Sequence, residues 1–334
     1  MAMGTFSALA AILTIAGCGG TGNGTLPIVS SPINRLVGTW KGNSTKTRSH
    51  GGPAHLWDLQ FQRSGGQDTT TFFGTVVMSQ PGTPTSLPLY SGTFNGSFTA
   101  STGRVQMDMF FSFDPGGNPV PAEQGQVWTF DLTENNGVQT GSYDVRFGGT
   151  SIEGGTASFT RLTTADHPNT TVTGNWTGIP PTGGIQLFRP NPFDPNAEDP
   201  LVLNGVTVPV LPVGLVYSNQ DDHDNVTATV QVINPQPPFQ PVNVTVHGVV
   251  VGDIVLVSGV LPNTIGPLSV PIGGSTVVIP MAGRAFLYTA VVSPSGSQVV
   301  QNGHFFLKVN LLSPNDLQTG SFYKLGSFQV AKIQ

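Results

Sequence analysis

The chain has 334 residues and a net charge of −5, and only 9% of its side chains are charged, against about 25% in an average soluble domain. Thirteen Lys plus Arg leave no basic stripe for a nucleic acid, and one cysteine excludes a disulfide framework. Glycine (43) and proline (28) are abundant, and with Thr, Val and Asn they predict many strands joined by tight turns.

The chain begins with an apolar run, TFSALAAILTIAG, from Thr5 to Gly17. It is too short to span a bilayer, which takes roughly 20 residues, and its length suits an export signal. It ends on Ile15-Ala16-Gly17-Cys18, an aliphatic residue, two small ones and the single cysteine. This tetrad resembles the bacterial lipobox, which implies cleavage before Cys18 and acylation of its thiol. Gly-Gly-Thr-Gly-Asn-Gly follows and suits a flexible tether rather than a helix. The competing reading is a buried structural cysteine after an ordinary apolar helix. The expectation is a signal peptide over 1–17, a tether over 18–33, and a lipid-anchored protein of the bacterial cell envelope. Gly19 rather than Asp after the cysteine resembles lipoproteins sorted to the outer membrane.

Eight strands are predicted next, over 36–46, 55–63, 69–79, 88–99, 104–113, 126–133, 138–147 and 154–162. In LWDLQFQ, Trp57, Leu59 and Phe61 alternate with polar residues. In RVQMDMFFSF, Val105, Met107, Met109, Phe111 and Phe113 share one face. Sequential short strands with one apolar face predict an up-and-down barrel, which has no open edge. An immunoglobulin-like sandwich is the alternative.

The pattern then starts again. RLVGTWKGNS has its counterpart in TVTGNWTGIP, and VQTGSYDV in LQTGSFYK. The copies close with SFTRL and QVAKI. This is an internal repeat. It predicts an all-β protein of two tandem antiparallel barrels, over 34–163 and 164–334, the second lengthened by a Pro-rich insert at about 186–212. Gly-x-Trp on a first strand with a cation on the last resembles the lipocalin and wider calycin pattern. That resemblance implies that Trp40 meets Arg161 and Trp176 meets Lys332, each cation lying over an indole at a closed barrel end.

No catalytic constellation is legible. No Gly-x-Ser-x-Gly elbow precedes a helix, the six histidines are scattered, and no phosphate-cradling loop occurs. Asp194, Asn196 and Glu198 have the alternate spacing of calcium ligands, but polar turns explain them as well, and no cofactor is expected. The first copy carries an aromatic and Met-rich face of Trp57, Phe61, Tyr90, Phe94, Phe98, Met107, Met109, Phe111 and Tyr143. The orientation of Trp128 and Phe130 is open. The second copy's face is mostly aliphatic, from Val226 to Leu256. Adaptable aromatic linings surround apolar ligands, although eight strands are also filled by their own side chains. The functional expectation is therefore a non-enzymatic envelope protein binding an apolar or amphipathic small molecule in the first barrel. Its alternative is a structural or adhesive surface lipoprotein with filled barrels. Membrane attachment through the anchor is expected, and no nucleic acid.

Overall fold

The computed structural model describes residues 31–48, 55–63, 70–80, 87–115, 120–164, 170–203, 205–234, 240–272, 275–317 and 320–333. The lipobox, Cys18 and most of the 163–170 linker lie outside them. Strands β1 (Gly38–Arg48), β2 (His55–Arg63), β3 (Thr71–Gln80), β4 (Leu87–Thr99), β5 (Arg104–Phe111), β6 (Gln126–Asn135), β7 (Val138–Phe147) and β8 (Thr150–Arg161) follow in order. Each pairs antiparallel with the next, and β8 returns to β1, closing a barrel. All eight predicted strands are present with small shifts at their ends. Alternation explains closure: along β5, Val105, Met107, Met109 and Phe111 are buried while intervening residues stay accessible. The structure is a barrel, not the sandwich.

The second half contains β9 (Gly174–Gly178), β10 (Gly184–Leu187), β11 (Val202–Leu203), β12 (Val206–Thr207), β13 (Val213–Gln220), β14 (Asn225–Ile233) and β15 (Pro241–Val251). They are followed by β16 (Ile254–Val260), β17 (Leu268–Ile272), β18 (Ser275–Ile279), β19 (Ala285–Ser295), β20 (Gln298–Val309) and β21 (Ser321–Lys332). β9 and β10 together make one interrupted first strand. The former pairs with β21 at Ala331 and Lys332, the latter from Gly326 to Gln329. A second closed eight-stranded antiparallel barrel results. The Pro-rich insert carries the small β11–β12 hairpin, and a second hairpin, β17–β18, lies between β16 and β19.

The two barrel ends that carry the Gly-x-Trp motif are built alike. Gly38 has φ +124° and Gly174 φ +118°, a backbone region open to glycine. A Cβ on Gly38 would also lie 1.9 Å from the Thr163 carbonyl oxygen. Two residues on, each indole N–H donates to a carbonyl four residues upstream: Trp40 to Leu36 at 2.6 Å and Trp176 to Val172 at 2.8 Å. Trp40 pairs in register with Arg161 and Trp176 with Lys332. Arg161 Cζ lies 5.9 Å from the Trp40 ring centre and Lys332 Nζ 5.7 Å from that of Trp176. A 3₁₀ turn, Pro32–Arg35, plugs the first barrel at this end. Ile33, at the end of the expected tether, is fully buried in the barrel core.

One element of the repeat is not equivalent. VQTGSYDV lies on β7, the seventh strand of its barrel, whereas SFYK opens β21, the eighth. Gln318 and Thr319 lie outside the described residues. The resemblance of the two Gln-Thr-Gly-Ser segments therefore does not mark matching places, while the tryptophan and the cation do.

The barrels pack side by side through outward faces, and 31–334 forms one compact unit. Val77 on β3 packs against Val249, Val251 and Leu256. Thr75 Oγ1 donates to the Val250 carbonyl at 2.7 Å, and Gln62 Nε2 donates to Asp224 Oδ2. Ile254 and Leu256, grouped by sequence with the second barrel's interior, belong to this contact, while Val255 and Val257 point inward. The reason is the turn at Gly252-Asp253. It makes Val251 and Ile254 partners and Val250 and Val255 partners, and facing partners share a side, so the parity flips across the turn.

Candidate functional site

Eight of the nine first-barrel candidates fill its interior. Trp57, Phe61, Phe94, Phe98, Met107, Met109, Phe111 and Tyr143 are buried in one cluster, and Trp128 and Phe130 join them facing inward. Their rings touch one another. Phe61 lies 4.7 Å from Phe94 and 5.1 Å from Phe72 between ring centres, and Trp57 lies 5.1 Å from Trp128 and 5.8 Å from Phe130. Such mutual edge-on and tilted packing is the behaviour of a core. Tyr90 is the exception. It stacks on Phe113 at 3.7 Å and turns its other side to Phe322 of the second barrel.

At the end opposite Trp40, strands β1, β2, β7 and β8 bring Lys46, His55, Tyr143 and Glu153 together. Glu153 Oε1 accepts from Tyr143 at 2.8 Å and faces His55 Nε2 at 3.2 Å, and Oε2 meets Lys46 Nζ at 2.9 Å. Burial alone raises the Glu153 carboxyl, but the hydrogen bonds from His55, Lys46 and Tyr143 outweigh it and bring it down to about 2. Burial and the adjacent carboxylate push the Tyr143 phenol up. Trp57 Nε1 donates to Ser44 Oγ at 3.0 Å beside them. The result is a fixed carboxylate with its partners already in place.

The calcium candidates of the acidic loop turn to other partners. Asp194 Oδ1 accepts the Asn196 N–H at 2.9 Å, closing its own turn. Glu198 turns to Lys324 Nζ at 2.9 Å, which holds its carboxyl below the usual range. Asp199 lies 3.4 Å from Arg189. Among the described residues no three His, Cys, Asp or Glu converge to hold a metal, and no helix is long and apolar enough to cross a membrane.

A groove opens instead between the barrels, with a volume of about 340 Å³. Its first wall comes from β4 and from residues at and just past the end of β5, including Tyr90, Thr93 and Phe113. The second comes from the outer faces of β14, β15, β16, β19 and β21, including Leu287 and Phe322. A polar strip of Thr227, His247 and Ser258 runs across it, with Thr227 Oγ1 and His247 Nδ1 3.2 Å apart. Burial, with Asp114 nearby, pushes the Tyr90 phenol up to about 12, so it stays neutral. Of the sequence candidates only Tyr90 lines this groove. The signal for the rest was apolar residues on both parities, as in AFLYTAVV of β19. That pattern marks a strand covered on both faces.

No protein-family model matches the chain. No curated protein matches it. Among solved structures, a protein of unknown function from the DUF3598 family of Nostoc punctiforme aligns over 90% of this chain and 98% of its own, at 11% identity and a TM-score of 0.24.

Proposed function

We propose that this chain is a non-enzymatic binding protein of the bacterial cell envelope, anchored by acylated Cys18, that holds an apolar or amphipathic small molecule. The occupied place is the groove between the barrels rather than the first barrel's interior. The observation that carries this reading is the groove itself. Its volume of about 340 Å³ falls in the range of about 300–1,000 Å³ common for small-molecule sites, and aromatic walls face a short polar strip. The ring packing inside the first barrel supports a second reading, a structural or adhesive surface lipoprotein with filled barrels.

A fluorescent apolar probe, N-phenyl-1-naphthylamine, separates the two. The wild-type protein binds it, and Ser258→Trp or His247→Trp, each placing an indole in the groove, abolishes binding while the melting transition persists. A wild-type protein that does not enhance the probe's fluorescence favours the second reading. For the anchor, Cys18→Ala releases the chain from membranes, because the acyl chains supply the attachment energy. Sedimentation of that variant with carbonate-washed membranes contradicts it.

A further inference from the structure

We infer that the groove takes an uncharged amphiphile, whose apolar tail lies between Tyr90, Phe113, Leu287 and Phe322 and whose hydroxyl or amide head meets the Thr227–His247–Ser258 strip. This inference rests on the groove reading above and adds the class of its occupant.

Among the described residues no Lys, Arg, Asp or Glu lines the groove. Its polar side chains, Ser91, Thr93, Ser112, Asn225, Thr227 and Ser258, are hydroxyls and one amide, beside the His247 imidazole and the Tyr90 phenol. Tyr90 stays a neutral phenol because burial pushes it up to about 12. Asp114 acts on both Tyr90 and the buried Lys308, and Asp221 accepts from the Asn225 amide at 2.9 Å, so the carboxylates beside the groove already have partners. A carboxylate or an ammonium at this half-open strip gives up part of its hydration and meets no counter-charge on the described walls, which is unfavourable. A hydroxyl head loses little, because hydroxyl and imidazole partners replace water.

Three probes of equal chain length test this at pH 8, below their micellar concentrations: decanol, decanoate and decylammonium, each measured by displacement of N-phenyl-1-naphthylamine. Decanol is expected to bind about tenfold or more tighter than either ion. His247→Lys, at an exposed position, places a cation in the strip and brings decanoate ahead of decanol, leaving decylammonium weakest. Equal affinity of the three probes, or an ion preferred by the wild-type protein, overturns the uncharged-head inference and leaves the groove standing. Binding of the probe dye that none of the three displaces overturns it as well. Failure of the dye itself to bind removes the groove reading and this inference together.

Discussion

Trp40 and Arg161 show how much of a barrel end two side chains settle. The indole is 1% exposed, bonded to Leu36 and covered by a guanidinium that also donates to the Asn34 and Val37 carbonyls. Trp40→Ala is expected to cost about 3–5 kcal/mol, as for large buried aromatics. Arg161→Ala costs about 2 kcal/mol from lost stacking and charged hydrogen bonds. Because the two touch, the double variant loses less than the sum, and chemical denaturation of the four proteins measures the difference. Trp176 and Lys332 show the same coupling, while Trp40 with Lys332 shows none. Strict additivity within both pairs contradicts the shared closure. Glu153 makes a pH-dependent contribution. Its folded pKa, about 2, lies below the unfolded value of about 4.3. The stabilisation is therefore full above about pH 5, of order 3 kcal/mol, and drains away as pH falls towards 2. The gap in unfolding free energy between wild type and Glu153→Gln should be roughly halved at pH 3 relative to pH 7. An unchanged gap shows that the carboxylate is not held by its partners.

Among the elements, the buried Arg284 ties together three segments of the second barrel. Arg284 is fully buried and donates to four carbonyls, those of Pro280, Pro314, Lys308 and Asp316. It thereby ties the turn before β19 to the end of β20 and to the loop leading to β21. Burial lowers its pKa, with Asp316 opposing the shift. Arg284→Met strands those carbonyls and is expected to cost about 3–5 kcal/mol. Arg284→Lys recovers little, since one ammonium cannot reach the spread of acceptors that a planar fork serves. Limited proteolysis reads the effect locally, with cleavage in 310–317 appearing in both variants before the barrel melts. Cleavage that stays at wild-type level in Arg284→Met removes the clamp.

In the whole molecule, the contact between barrels decides whether two closed cores act as one. Leu256 is fully buried against Val77, and Gln60 and Gln62 are buried on the outward side of β2. Each barrel has its own interior, so the coupling lives in this face. Leu256→Asp places a carboxylate there without a partner, a penalty of several kcal/mol, about 3–5. Calorimetry is expected to show one transition for the wild-type chain and two for the variant, one for each barrel. A single shifted transition in the variant shows that the barrels share more than this contact.

Period-two alternation, glycine-rich turns and the repeated Gly-x-Trp with its closing cation carried the eight strands of the first barrel and the existence of the second. These signals are local, because a strand's faces follow from its own order of residues. Proximity across the fold is not local. The ring-packed interior of the first barrel, the carboxylate held by Lys46, His55 and Tyr143, and the inward turn of Trp128 required distant strands to meet, His55 and Glu153 being 98 residues apart. The flip of Ile254 and Leu256 to the outer side came from a two-residue turn, and the non-equivalent Gln-Thr-Gly-Ser segments from which strand each one reached. The groove had the weakest trace of all. Its walls come from outward faces of two barrels, where apolar residues look the same in sequence whether they meet a second barrel, a ligand or water. Only their packing in three dimensions separates covered faces from the gap between them.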